Sequence, residues 1–200
     1  MTTPSARSWR VLEELDVPEG VRAELISGEI LLSLSSDMTT NLIVASLIHQ
    51  VPHELWYRLT KQDLAYWGYG SRLQPDLVVL ESAAIDVAVA AMVVEVVSGA
   101  SSLRDYYSKR GLYAEAGIPA YLIVDPGEAV CVLLTEPSRE TLAGEPDYLS
   151  TRTSLFGEVV PVGALGVDLM TSEFPRGHSG RAVKSINSST FARSSGSRSL

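Results

Sequence analysis

Between Gln74 and Pro126 lie two short apolar runs, a polar loop, an amphipathic stretch and a third apolar run. The first run, Leu77-Val78-Val79-Leu80, follows Gln74-Pro75-Asp76. The second, Met92-Val93-Val94, is broken by Glu95 and resumes with Val96-Val97. Apolar, β-branched runs without alternation predict strands covered on both faces. Ser98 to Ser102 reads as a loop with capping hydroxyls. Leu103 to Ala116 reads as a helix, with Gly117 as its C-cap and Pro119 barring continuation, and Ala120 to Val124 as a third buried strand. A β-β-α-β order dictates a mixed sheet with a crossover helix, which is an α/β (α+β) fold.

Other elements fit around this stretch. Trp9, Leu12 and Leu15 suit one or two helical turns, stopped by Pro18 and Gly20. Val21–Ile26 and Glu29–Leu34 flank Ser27-Gly28 as an N-terminal hairpin. Asp37 can cap a helix whose apolar stripe runs from Leu42 to Leu59, kinked or divided at Pro52. Ala65–Tyr69 suggests a strand. Glu128–Leu134 is the expected hairpin partner of Ala120–Val124, and 148–153 and 158–162 are expected edge strands. Residues 8–175 thus form one domain, and 176–200, rich in Ser, Gly and Arg, read as a disordered basic tail.

Composition narrows the function classes. Of 200 residues, 46% are hydrophobic, enough for a sizeable core, and the net charge is −8. No acid follows Glu173, so the tail carries +5 and the body −13. An acidic body disfavours nonspecific grip on a polyanion. No stretch has the length and apolarity of a membrane span or a signal peptide, and the single Cys131 sits in an apolar run, so a cytoplasmic protein is expected. His49 and His53 are spaced four apart, but no Glu follows His49 as in zinc proteases and Pro52 disturbs the spacing.

The carboxylates carry the chemistry. Glu95 in a central apolar strand is costly unless paired, metal-bound or protonated. Were its strand and that of Asp76 neighbours, both acids would reach one cleft, a donor pair suited to a hard divalent cation. Lys109 could stabilise charge at a phosphoryl centre, or simply pair with Asp105 one helical turn earlier on the surface. Glu95 could equally serve a structural ion pair with Arg72, Arg104 or Lys109, and Glu24 an exposed strand position.

The runs Ala23-Glu24-Leu25-Ile26-Ser27-Gly28-Glu29-Ile30, Gln74-Pro75-Asp76-Leu77-Val78-Val79 and Val93-Val94-Glu95-Val96-Val97-Ser98, followed by Asp105, Lys109, Tyr113 and Ala116–Pro126, resemble the Uma-two family of restriction endonucleases, within the PD-(D/E)XK nuclease superfamily. The resemblance spans roughly residues 10–174. It implies a restriction-endonuclease-like mixed sheet flanked by helices, and a magnesium site, with manganese as the alternative ion, made by Asp76, Glu95 and the Val97 backbone carbonyl. The superfamily lysine two residues after the glutamate is Val97 here, so the resemblance assigns that role to Lys109, with Glu24 as an additional acid. Ser98 and Tyr113 are expected to be structural. Ser27 stands where the family has Asp, Asn41 where a histidine is common, and the loop after Ser98 lacks the family's proline. The implied function is magnesium-dependent hydrolysis of nucleic-acid phosphodiesters, with DNA as substrate. The alternative is a nuclease-fold protein with little or no catalysis that serves as a binding module. Apolar edge strands and the superfamily's habit suggest a homodimer.

Overall fold

The apolar runs find one another in a mixed six-stranded sheet. A computed structural model describes residues 6–34, 37–66, 70–81, 89–97, 108–142 and 144–177. Its strands are β1 (Val21–Ile26), β2 (Glu29–Leu34), β3 (Tyr57–Leu59), β4 (Leu64–Tyr66), β5 (Ser71–Leu73), β6 (Leu77–Leu80), β7 (Ala90–Val96), β8 (Ala120–Asp125), β9 (Val130–Ser138), β10 (Asp147–Leu155), β11 (Val159–Val162) and β12 (Val167–Met170). Its helices are α1 (Ala6–Glu14), α2 (Met38–Gln50) and α3 (Arg110–Ala116).

The large sheet runs β10-β9-β8-β7-β6-β3, and a smaller sheet runs β2-β1-β5-β4. β6 and β7 are antiparallel, with Leu77 opposite Val94, while β7 and β8 are parallel, with Val94 opposite Leu122. The parallel pair is the crossover that the β-β-α-β order demands, with α3 in the connection. Every residue of β6 and β7 is buried, as expected for strands covered on both faces.

Strand alternation divides the core. Leu77, Val79, Met92, Val94 and Val96 pack with Ile43, Val44, Leu47 and Val51 under α2. Val78, Leu80, Val93 and Val97 face the other way, toward Leu112 and Tyr113 of α3 and Ile26 and Leu73 of the small sheet. Each aliphatic side chain so buried contributes roughly 1.5–3 kcal/mol. Glu95 lies between Val93 and Val97 in sequence parity and so points to the α3 face.

The long helix ends earlier than its apolar stripe suggests. Asp37 caps it by accepting from the Thr40 N–H at 2.8 Å. At the other end Val51, the residue before Pro52, is extended at ψ 119°. A residue before proline disfavours the helical region, so the chain divides here rather than kinks. Arg58 then returns to donate to the Val51 carbonyl at 2.7 Å, and Tyr57–Leu59 becomes an edge strand on β6 instead of more helix. Leu55, expected in the stripe, is exposed. The Ser27-Gly28 hairpin holds as expected, with both turn residues at positive φ (50° and 89°), the pairing that a tight two-residue turn requires. Among the described residues no helix is long and apolar enough to cross a membrane. Residues 178–200, most of the expected tail, lie outside the described residues.

Candidate active site

Asp76 and Glu95 come together through strand register. The β6–β7 pairing of Leu77 with Val94 places the preceding Asp76 beside Glu95. Asp76 Oδ2 accepts the Val96 N–H at 2.8 Å, which fastens the carboxylate to the residue next to Glu95. Pro75 offers no N–H and fixes its own φ, holding the approach from β5.

Glu24 reaches the same place from the small sheet. Period two puts Arg22, Glu24 and Ile26 on one face of β1, the face toward α3 and the large sheet. β5 pairs with β1 and leads directly into Asp76. The Gln74 N–H donates to Glu24 Oε1 at 2.9 Å, two residues before Asp76. Glu24 is therefore almost wholly buried, where the bare pattern also allowed an exposed position.

Lys109, at the N-terminal end of α3, joins the acids. Its Nζ lies 2.7 Å from Glu95 Oε1 and 3.0 Å from Glu24 Oε1, and its side chain is 0% exposed. This excludes the surface role that the i, i+4 spacing also allowed; Asp105 itself lies outside the described residues. The next residue, Arg110, pairs with Asp147 on β10 and so holds the start of the helix. Tyr113, one turn on, donates its hydroxyl to Glu95 Oε1 at 2.9 Å. Its ring packs edge-on to Tyr121 at 4.9 Å. The sequence placed Tyr113 in the core but not on the glutamate.

Arg22 is the member that sequence reasoning missed. Its Nη1 donates to the Gln74 carbonyl at 2.8 Å and to Asp76 Oδ1 at 3.2 Å, and its Nε lies 3.8 Å from Glu24 Oε2. The available signal was parity: Arg22 precedes Glu24 by two on a strand, so the two share a face. Burial drives the Glu24 carboxyl upward, but Lys109, then Arg22, then the Gln74 N–H outweigh it and hold it below its ordinary value. Burial, followed by the Glu95 charge, pushes the Tyr113 hydroxyl well above its ordinary value, so it remains a donor.

Asp76 also lines a cavity of about 180 Å³ with Thr40, Asn41 and Ile48 of or beside α2, and Thr60 and Lys61 after β3. The remaining expectations fare differently. Val97 gives its N–H to the Val124 carbonyl at 2.8 Å, whereas Val96 presents its N–H to Asp76. In an extended strand the N–H and C=O of one residue point to the same edge, which turns the Val97 peptide toward β8. That direction does not favour the Val97 carbonyl as a donor beside Asp76. His49 ends up on α2 and His53 in the following turn beside Glu54 at 3.1 Å, so the two do not form a helical pair. Ser98 lies outside the described residues.

This architecture has known counterparts. The family model described as "Uma2: Putative restriction endonuclease" matches residues 9–164. The chain belongs to the Uma2 family. Among solved structures, it is similar to one titled as a "putative nuclease belonging to DUF820" from Anabaena variabilis, with a TM-score of 0.62 and 15% identity over 81% of this chain and 93% of that one. That likeness shows the fold. No curated protein matches the chain. The Uma2 match agrees with the resemblance in the sequence, and the family is described as one of restriction endonucleases, which act on nucleic acid.

The site fits a hard, hydrated cation better than a caged one. Among the described residues no three His, Cys, Asp or Glu side chains group as a ready metal cage. Asp76 and Glu95 supply oxygen donors only, and Asp76 lines a cavity with room for water. Magnesium is typically held by one or two carboxylates and keeps several waters.

Proposed function

We propose that this Uma2 protein is a magnesium-dependent endonuclease that hydrolyses DNA phosphodiesters. The observation that supports it most is the convergence of Glu24 and Glu95 on one fully buried lysine, with Asp76 joined to Glu24 through Arg22. Burying such charges costs several kcal/mol per ion, and replacing a buried ion-pair network by packed apolar residues is often neutral or stabilising. Stability alone therefore gives little reason for the cluster.

Asp76 and Glu95 would hold the cation, with Mn²⁺ as the alternative to Mg²⁺. When bound, it would polarise a phosphoryl oxygen and lower the pKa of the attacking water. In the reaction a water oxygen bonds to phosphorus, one P–O ester bond breaks, and the leaving oxygen takes a proton. Lys109 holds Glu95 and Glu24 in place, and its charge favours the build-up of negative charge at phosphorus. Glu24, held ionised at neutral pH, qualifies as a proton acceptor or additional ligand. Tyr113 fixes the Glu95 carboxylate through its hydroxyl. DNA is favoured as substrate by the family's description as restriction endonucleases. The test is cleavage of supercoiled plasmid over a screen of divalent ions. Absence of cleavage of DNA and RNA under every ion, with no ion bound, would remove the enzymatic reading.

A second reading has its own support. Asp76 and Glu95 already have cationic partners, Arg22 and Lys109, as a purely structural network would. On that reading the protein is a catalytically weak binding module, and magnesium leaves its melting temperature unchanged. For the proposed homodimer, the support is Leu149 and Leu155, exposed on the edge strand β10.

A further inference from the structure

Arg22 has no place in the proposed chemistry, yet like Lys109 it touches two of the three acids. Its guanidinium meets Asp76, Gln74 and Glu24, and its Nε donates to Ser33 Oγ at 3.4 Å. Its side chain is 15% exposed, against 0% for Lys109. It also lines a second cavity, of about 320 Å³, together with Arg72, Gln74 and Asp63. Asp76 thus borders one cavity and its arginine partner borders another.

The charge count shows what this placement does. Glu24, Asp76 and Glu95 bring three negative charges, and Arg22 and Lys109 two positive ones, so the cluster stands at −1. A divalent ion takes it to +1, which one phosphodiester charge then cancels. Without Arg22 the cluster stands at −2, the same ion brings it only to zero, and the phosphodiester arrives at a site with no net attraction. Arg22 also repels the cation directly, since it lies on an oxygen of Asp76.

We infer that Arg22 is a charge-balancing positioning residue that weakens divalent-ion binding at Asp76 in order to leave the loaded site positive for a phosphodiester. This rests on the reading of Asp76 and Glu95 as a divalent-ion site. It predicts opposite signs for two affinities when the charge is removed, which a merely structural role does not.

The test compares wild type, Arg22→Met, Arg22→Gln and Arg22→Lys. Mg²⁺ and Mn²⁺ affinities are measured by calorimetry, and binding of a short fluorescent DNA duplex is measured by anisotropy in saturating Ca²⁺. Gln keeps a donor for the Gln74 carbonyl while losing the charge, and Lys keeps the charge without the planar fork. In the Met and Gln variants, ion binding tightens and duplex binding weakens, each by about tenfold. In the Lys variant both constants stay within about threefold of wild type. Ion affinity that is unchanged or weaker in the neutral variants, or both constants moving together, overturns the inference while leaving the active-site reading standing. If wild type binds no divalent ion, the active-site reading itself fails, and the inference with it. Should neither neutral variant fold, the wild-type protein decides by ¹⁵N NMR. The Arg22 Nε–H signal shifts on adding Mg²⁺ if the ion changes the arginine's partner, and an unmoved signal overturns the inference.

Discussion

Replacing Lys109 by Met keeps most of the buried stem and removes the ammonium. In the native site that ammonium lies 2.7 Å from Glu95 and 3.0 Å from Glu24. Without it two carboxylates face each other in a buried site, with Arg22 on the far side of Glu24. The variant escapes by protonating one of them. Protonating a carboxyl of ordinary value 4.5 costs about 3.4 kcal/mol at pH 7 and about 0.7 kcal/mol at pH 5. The first figure falls within the roughly 3–5 kcal/mol expected when one partner of a buried ion pair is removed. The variant should therefore lose about 3 kcal/mol at pH 7, and more than half of that deficit should vanish by pH 5. At roughly 2–4 °C per kcal/mol for a domain of this size, the melting temperature falls by about 6–12 °C at pH 7. Urea unfolding at the two pH values, followed by circular dichroism, measures this. A loss under about 1 kcal/mol, or one that does not change with pH, would refute the buried three-way contact.

Three further outcomes follow from the same contacts. Tyr113→Phe deletes one hydrogen bond to a charged group and should cost about 1.5–3 kcal/mol in urea unfolding, since the Glu95 oxygen stays buried. Glu24 is held below its ordinary 4.5, so its ionised form contributes fully above that pH and the contribution disappears as pH falls through the lower folded value. Wild-type stability should accordingly fall on acidification below about pH 4.5, and Glu24→Gln should flatten that fall in a pH series of thermal melts. Burial pushes the Cys131 thiol up to about 12, so a chromogenic disulfide reagent should label it only at the rate of unfolding.

The parts of the fold that were legible are those where the pattern had only one solution. Leu77–Leu80, Met92–Val97 and Ala120–Val124 could be nothing but buried strands, and their order forced the parallel β7–β8 crossover. The Ser27-Gly28 turn fixed the hairpin register because a two-residue turn leaves none to slip. The stripe from Leu42 to Leu59 divides at Pro52, one of the two outcomes its proline allowed, because the residue before a proline disfavours the helical region; the apolar spacing beyond it belongs to no helix. β5 was missed because three residues, Ser71-Arg72-Leu73, carry no period of their own; pairing with β1 and β4 makes them a strand.

In the site, Asp76 and Glu95 were visible as acids out of place among aliphatics. Glu24 and Lys109 needed the family resemblance, because their burial comes from tertiary packing. Lys109 read locally as half of a surface pair, and only the small sheet folding over α3 makes it a buried cation. Arg22 was missed for the same reason: its partner Asp76 lies 54 residues away, and only its parity with Glu24 pointed to it.

The central claim is that Asp76 and Glu95 are kept for an ion and its chemistry rather than for stability. One experiment addresses it most directly: thermal melts of wild type, Asp76→Asn and Glu95→Gln with and without Mg²⁺, in parallel with plasmid cleavage. Mg²⁺ should raise the melting temperature of wild type alone, and Asp76→Asn should be at least as stable as wild type without the ion. Ion-dependent cleavage should be lost in both variants. An Asp76→Asn protein that is clearly destabilised, beside a wild type that Mg²⁺ neither stabilises nor activates, would contradict the central claim.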